Sequence, residues 1–497
     1  MNRSQEIIQS YRNTIHYTGL ILILAAVLMV FPLSCLFFWP EEARFARGFV
    51  VPAVIMLSVG ITFWLLLKPR DKESLDVQQS AVIVVLSWVW VCLFSAWPFM
   101  AIEKLSFTQA VFESVSGWTT TGLSVVNVEQ STHLILLWRS VMQWAGGAGL
   151  AIIMLATIVG PTGPALGIAE GRSQQLVPQV RHSAKIVMTI YVGYAVFGVI
   201  AYKLTGMDIF DSVNHTFAAI STGGFSTKVD SIGHWDSLSV EGVTLSLMIL
   251  GNLNFLTAYM LLHGKIKAVS RNGEVRLMIL LVPVCTGALF FLVCTSLYPT
   301  LSKSVRVALF ETVSALTTTG FSSVSYSNWN SFGVFLLIVL MLIGGGTCST
   351  AGGIKQYRIY VLYKSLIWEI KSFFLPRTAV TENYIWQAER KDFISEARIR
   401  QIGTFLFLYL ATYLLGSLVV AAAGVSIKDS LFEFASALGT VGLSVGVTAP
   451  EASPIILWTE AAGMFLGRLE FFVIICGAVK IVRDAGSVCR LRSGNVK

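Results

Sequence analysis

The sequence predicts an all-α polytopic membrane protein with four pseudo-repeated helix–pore loop–helix units around one pore, plus an N-terminal helical hairpin. Three observations lead there. Apolar residues make up 55% of the 497 residues and charged residues only 13%, about half the charged share of a soluble domain. Apolar runs of about twenty residues, the length that crosses about 30 Å of hydrocarbon, recur along the chain, as at 19–38, 50–67, 80–100 and 186–201. A Gly-centred pattern occurs four times, always between two apolar segments: Thr119-Thr120-Thr121-Gly122-Leu123-Ser124, Ser221-Thr222-Gly223-Gly224-Phe225-Ser226, Thr317-Thr318-Thr319-Gly320-Phe321-Ser322 and Gly439-Thr440-Val441-Gly442-Leu443-Ser444.

Residues 1–75 read as a helical hairpin without a Gly motif. Its first apolar segment is long and no small-residue cleavage site follows, so it is not expected to be a signal peptide. Unit one occupies 76–170, with a spanning helix at 80–102, a short amphipathic segment at 108–118, the loop 119–124 and a second spanning helix at 133–159. Unit two, 171–270, repeats this as 184–204, 211–220, 221–226 and 242–263. Unit three, 271–385, has 275–297, 303–316, 317–322 and a helix from Phe332. Unit four and the tail, 386–497, have 401–422, 428–438, 439–444 and 454–482. The middle segments are too short to span and must enter and leave on one side. Irregular backbone at that depth is tolerated only inside protein or against a water-filled cavity.

The net charge of +8 does not point to nucleic acid, because its distribution follows the membrane. Lys68, Arg70, Lys72, Arg172, Arg181, Lys185, Lys265, Lys267, Arg271, Arg276, the stretch 355–400 and the tail 480–497 all fall on one side. This positive-inside bias predicts an inner (plasma) membrane protein with both termini cytoplasmic and the Gly motifs toward the outside. The seven cysteines (35, 92, 285, 294, 348, 476, 489) are scattered, mostly in apolar runs, and read as buried free thiols. The histidines show no metal-ligand spacing.

A dehydrated alkali cation needs oxygen ligands, which backbone carbonyls aimed at an axis supply. Turning successive carbonyls the same way calls for a residue at positive φ, which glycine takes without steric cost. Gly122, Gly224, Gly320 and Gly442 fit that role, and Thr120, Thr222, Thr318 and Thr440 add hydroxyls or brace the loop. The short helix before each loop points its C-terminus inward, where the dipole favours a cation. Upstream stand Phe112-Glu113, Phe310-Glu311 and Phe432-Glu433, with Asn214-His215 in unit two. The carboxylates are expected to begin the short helices and brace them, with a direct part in gathering cations as the lesser alternative. Small-residue helix packing would explain one Thr-x-Gly, but four copies in one context argue against it. The clusters Gly146-Gly147-Ala148-Gly149 and Gly251-Asn252-Leu253-Asn254 read as packing or pore-lining sites.

These motifs make nearly the whole chain resemble the superfamily of K⁺ transporters and channels that includes TrkH, KtrB and plant HKT proteins. The amino-terminal hairpin makes it more similar to TrkH. The resemblance implies a homodimer with one pore per protomer and a K⁺ selectivity filter at Thr120, Thr121, Gly122, Thr222, Gly223, Gly224, Thr318, Thr319, Gly320, Thr440, Val441 and Gly442, binding K⁺ by backbone carbonyls. Serine at the first filter glycine accompanies Na⁺ transport in plant relatives, so four glycines favour K⁺. Gly223, Val441, Gly439 and His215 depart from the other copies, which predicts an asymmetric filter. The resemblance also implies a soluble RCK-type ring subunit, TrkA- or KtrA-like, docked on the basic loops, Lys371 to Arg400 above all. NAD or ATP would sit on that partner, since no Gly-x-Gly-x-x-Gly follows a strand here.

The second helix of unit three is interrupted by Gly344-Gly345-Gly346-Thr347-Cys348-Ser349-Thr350-Ala351-Gly352-Gly353-Ile354-Lys355, too Gly-rich for a regular helix. No Walker spacing supports a phosphate loop. A kink or packing patch and a mobile intramembrane gate remain, and the resemblance favours the gate, 344–355, with Gly344, Gly345, Gly346, Thr347, Ser349, Gly352, Gly353 and Lys355. Arg468 lies in the last spanning segment, where a charge is costly and marks a functional or paired site. By resemblance it is a pore-facing barrier that hydrogen-bonds the gating loop, and a purely structural pairing is the alternative. Arg139 lies nearer the outer end and is expected to snorkel.

K⁺ uptake down the electrochemical gradient is the leading expectation, with Na⁺- or H⁺-coupled symport as the alternative. A secondary transporter of an organic solute would also use broken helices, but does not call for four re-entrant Gly loops. No nucleophile–base pair, metal cluster or paired acid and base indicates an enzyme.

Overall fold

The computed structural model describes residues 3–67, 76–149, 180–376, 382–387 and 390–492. The expected boundary between units one and two, the helix beyond Gly149, and the basic residues Lys68, Arg70, Lys72, Arg172 and Lys497 lie outside them. The protein is a multi-pass helical membrane protein. Six described helices are long and apolar enough to span: Gln9–Phe37, Arg47–Leu66, Gln78–Ile102, Ser183–Leu204, Gly273–Leu297 and Glu396–Ala422. They are the two helices of the hairpin and the first helix of each unit.

The hairpin pairs α1 (Arg3–Val30) with α2 (Arg47–Leu66). Their backbones meet at Gly19 and Gly60, where a Cβ on either would fall on the other's carbonyl oxygen, the small-residue crossing that membrane helices use. Between them Glu42, buried, accepts from the backbone N–H of His133 at 2.9 Å and of Leu134 at 3.1 Å. The hairpin thereby caps α6 (His133–Ala148) of unit one, placing a carboxylate at a helix N-terminus. Trp39 stacks on His133 at 3.9 Å between centroids.

Unit one continues through α3 (Val77–Ser95), α4 (Trp97–Ile102) and the short α5 (Phe107–Trp118) to α6. Unit two has α7 (Val180–Leu204), α8 (Ile209–Ile220), α9 (Leu238–Asn252) and α10 (Phe255–Leu262), followed by the connector α11 (Ile266–Arg271). Unit three has α12 (Gly273–Leu289, extended by a π turn), α13 (Leu301–Leu316), α14 (Ser331–Ile343) and α15 (Gln356–Ser372). Unit four has α16 (Glu396–Ala422), α17 (Ile427–Gly439), α18 (Pro454–Leu469) and α19 (Phe471–Arg492). An antiparallel pair, β1 (Tyr384–Gln387) and β2 (Arg390–Phe393), pairs Tyr384 with Phe393 and Gln387 with Arg390. It packs Ile385 against Tyr357, Tyr360 and Val361 of α15. Five of the six described cysteines are buried, and Cys476 is exposed.

The second helices correct the sequence expectation. Segments 242–263 and 454–482 are not continuous helices. In unit two the chain bends by 116° between α9 and α10, because the Asn254 side chain accepts from Leu256 N and starts a new helix. In unit four Glu470 takes φ 57 and is held by Arg358 at 2.8 Å. The second helix of unit one ends at Ala148, before Gly149 (φ 86), and that of unit three at Ile343, before Gly344 (φ 71). The segment before each break has 13 to 16 residues, about 20–24 Å at 1.5 Å per residue. Each second helix therefore stops short of a full crossing, just beneath the Gly loops.

The short helices α5, α8, α13 and α17 occupy the centre. Each is capped at its N-terminus by a polar side chain, Ser106, Asp208, Thr300 and Ser426. They are amphipathic in sequence, as expected, and from the second turn on they are nonetheless buried almost all round, because they are enclosed by their own unit and its neighbours. Their polar residues serve internal hydrogen bonds instead.

Candidate ion-conduction site

Each central helix ends in a turn that sends the N–H groups of the following loop backward. Thr121 N donates to Ser116 O, Gly223 N to Ala218 O, Thr319 N to Ser314 O and Val441 N to Ser436 O, all at 2.8–3.0 Å. Gly122 N and Gly442 N donate to the Ser116 and Ser436 hydroxyls. In a planar trans peptide the C=O opposes the N–H, so the preceding carbonyls face away from the helix, toward the other loops. The backbone that achieves this takes positive φ at two alternate residues. The glycines do so as expected from sequence: Gly122 95, Gly224 72, Gly320 80 and Gly442 100. The threonines two residues earlier do too, at Thr120 56, Thr222 52, Thr318 53 and Thr440 50. That strain at a non-glycine residue is not visible in the motif.

The four loops close a ring. A Cβ built on Gly122 would meet the Gly223 carbonyl oxygen, one on Gly224 that of Thr319, one on Gly320 that of Val441, and one on Gly442 that of Thr121, each well under 3.0 Å. Every loop thus abuts the next in order and the fourth abuts the first. The Thr121 and Thr319 hydroxyls tie back to Thr119 and Thr317 at 2.8 Å, which leaves the ring to backbone oxygens. Below it, the Thr120 and Thr440 hydroxyls are buried without a partner among the described residues. On the opposite side a cavity of about 940 Å³ is lined by the four glycines and by Ser124, Ser226, Ser322 and Ser444.

The carboxylates correct a second expectation. Glu113, Glu311 and Glu433 do not begin their helices but lie at or beyond the middle, fully buried. There they bind the descending limb of their own loop. Glu113 accepts from Ser124 Oγ and Val125 N, Glu311 from Ser323 N, Ser323 Oγ and Tyr326 Oη, and Glu433 from Ser444 Oγ, Val445 N and Thr448 N. In unit two His215 Nε2 meets Ser226 Oγ at 2.9 Å. The bracing expected of these residues is what their contacts provide, and His215 stands in for the missing carboxylate.

Arg139 does not snorkel. Its side chain is 3% exposed and pairs with Glu113 at 2.8 Å. It also donates to Ser226 O at 3.1 Å and Ser124 Oγ at 2.9 Å, and lies 4.0 Å over the Phe225 ring. It joins loops one and two, a role set by residues distant in sequence. In the connection leading to α9, Asp236 accepts from Lys303 at 2.5 Å and Arg306 at 3.0 Å, and the Lys303 ammonium holds its carboxyl below the usual range.

The Gly-rich interruption 344–355 folds directly beneath the ring. Gly352 N donates to Thr318 Oγ1 at 2.7 Å, and Thr222 Oγ1 to Thr350 Oγ1 at 3.2 Å. Thr350 Oγ1 donates to Ile220 O and Gly251 O. A Cβ on Gly352 would strike Thr440 Oγ1. Gly346 N and Thr347 N are held by Asn252 and Glu274, Ser349 Oγ bonds Gly346 O, and Gly345 N bonds Gly352 O. Gly353 takes φ 77 against Gly344, and Lys355 bonds Ala351 O. Arg468, at the end of α18, donates to Thr350 O at 2.7 Å and to the carbonyls of Gly146 and Gly147. Gly146, Gly251 and Gly467 abut the last carbonyls of α5, α8 and α17, so these glycines are packing sites. Every residue singled out for the ring and the interruption falls in this one cluster.

A family model described as a cation transport protein, TrkH, matches residues 48–488. The Trk system potassium uptake protein TrkH of Escherichia coli K12 is 30% identical over 94% of this chain and 98% of its own length. A cation transporter of Methanocaldococcus jannaschii is 30% identical over 86% and 87%. The crystal structure of the potassium transporter TrkH from Vibrio parahaemolyticus superposes with a TM-score of 0.81 at 27% identity, covering 94% of this chain and 98% of that one.

Proposed function

The chain belongs to the TrkH family of cation transport proteins, and on that premise we propose that it carries K⁺ into the cell through the ring of loop carbonyls. The observation that carries the proposal is the closed order of contacts Gly122–Gly223, Gly224–Thr319, Gly320–Val441 and Gly442–Thr121. It surrounds one axis with backbone oxygens whose N–H groups are all engaged elsewhere. Such a cage replaces the hydration shell of an alkali cation. The hydroxyls of Thr120 and Thr440, without a partner among the described residues, add oxygens at its lower end, and the C-termini of four central helices add negative dipole ends. The membrane potential supplies about 2.3 kcal/mol per charge per 100 mV, enough to drive uptake without chemistry.

The 344–355 segment is the gate. It hydrogen-bonds threonines of two loops and is itself held by Arg468, so moving it uncovers the lower end of the ring. Arg468 places a positive charge where an emerging cation would pass. A cytosolic ring subunit of the RCK type, carrying NAD or ATP, would bias this segment through the basic stretch around β1–β2 and α15. The protein would work as a homodimer in the inner (plasma) membrane with both termini cytoplasmic. The test is radioactive Rb⁺ uptake by proteoliposomes of the purified protein. Saturable uptake competed by K⁺ is expected, and its absence in well-folded protein would overturn the proposal.

A further inference from the structure

Loop two differs from the others at one ring position. Where loops one, three and four have Thr121, Thr319 and Val441, it has Gly223. The space a side chain would fill there is not empty. A Cβ on Gly223 would lie within 3.0 Å of Cδ, Oε1 and Nε2 of Gln143, which comes from α6 of unit one. Gln143 is fully buried. Its Oε1 accepts from Phe225 N at 3.1 Å, and its Nε2 donates to the Gly223 carbonyl oxygen at 2.5 Å. A backbone N–H can only donate, so the Phe225 bond fixes which end of the carboxamide is oxygen and leaves the amino group on Gly223 O.

That carbonyl is a member of the ring, the one against which Gly122 packs. We infer that Gln143 is a specificity-determining positioning residue: its carboxamide replaces the missing side chain of loop two and ties up one lone pair of the Gly223 carbonyl. The inference rests on the ring being the K⁺ filter. A carbonyl oxygen has two lone pairs, and a donor on one lowers what it offers a cation. The Gly223 carbonyl is therefore the weakest ligand and the most rigidly held. Among the described residues, none of the other three ring carbonyls has a side-chain donor of this kind. The asymmetry of the filter thus lies in a neighbouring unit's helix as well as in the motif itself.

The test compares reversal potentials across K⁺ and Na⁺ gradients for purified variants in bilayers. Gln143→Leu keeps the volume and removes both bonds, and it should lower the K⁺ to Na⁺ permeability ratio by roughly threefold to tenfold, the worth of one buried hydrogen bond. Gly223→Thr alone puts its Cβ into the carboxamide and should abolish selective uptake, whereas Gly223→Thr with Gln143→Ala should restore most of it. Gly320→Ser serves as the control in a different loop. An unchanged ratio in Gln143→Leu with a changed ratio in Gly320→Ser overturns the role of Gln143 alone. Unchanged ratios in both overturn the filter assignment as well. A Gly223→Thr variant that behaves as the parent, or a double variant no better than Gly223→Thr, also overturns the inference.

Discussion

Replacing Arg139 by leucine discriminates between a surface arginine and a buried clamp. The Arg139 and Glu113 side chains are 3% and 0% exposed and 2.8 Å apart. Removing the guanidinium leaves Glu113 with only the neutral donors Ser124 Oγ and Val125 N. Breaking a buried pair from one side costs about 3–5 kcal/mol, and Glu113→Leu should cost as much by stranding the arginine. Arg139→Leu combined with Glu113→Leu strands no charge. Its cost is the stranded, buried Val125 N–H, about 1–3 kcal/mol, since Ser124 lines the open cavity. The double variant should then be more stable than either single one, a coupling of about 3 kcal/mol or more. Equilibrium unfolding in mixed micelles, followed by tryptophan fluorescence, measures all four corners. A loss below about 1 kcal/mol for Arg139→Leu, as expected of a solvent-screened arginine, or simple additivity, would refute the buried clamp.

Gly122→Ser should force loops one and two apart, since its Cβ meets the Gly223 carbonyl and its φ is 95; weaker discrimination against Na⁺ in reversal potentials is expected, and an unchanged ratio counts against the ring. Arg468→Ala frees Thr350 O and the Gly146 and Gly147 carbonyls and should raise Rb⁺ flux, so an equal or lower rate in folded protein contradicts the gate. Glu42→Ala frees the first two N–H groups of α6 while the Thr132 cap remains, and should cost about 1–2 kcal/mol, read as a lower melting temperature that Glu42→Asp partly restores. Asp236 has a lowered carboxyl pKa beside Lys303, so its latch contributes above the ordinary carboxylate range and is lost only as pH falls through the lowered value. The protection that Asp236 confers on 231–236, taken as the difference between the parent and Asp236→Asn after correction for the intrinsic pH dependence of amide exchange, should therefore stay constant from pH 8 to about 5, and a change in that difference inside the window rules the latch out.

Much of the fold was legible because membrane insertion writes itself into composition and because the loop pattern occurs four times. The glycines at positive φ followed from the same logic. What sequence could not give depends on pairs far apart along the chain. Arg139 meets Glu113 across 26 positions, Gln143 meets Gly223 across 80, and Glu42 caps a helix 91 residues on. The breaks at Leu253 and Glu470 carry no glycine or proline. They arise from the Asn254 cap and the Arg358–Glu470 pair, both invisible to hydropathy. The Gly-rich break in unit three was readable because glycine itself is the signal.

The ring's order of contacts also has a genetic consequence. In a pore made of four identical subunits, one codon change alters four ligands at once. Here each contact joins two different residues, Gly122 to Gly223 and onward to Gly442 against Thr121, so a single codon changes one quarter of the circle. Under the filter role proposed above, selectivity would then change in small increments, one sector at a time. Gly223 and Val441, which differ from Thr121 and Thr319 at the equivalent positions, show that the four sectors of the circle need not carry the same residue.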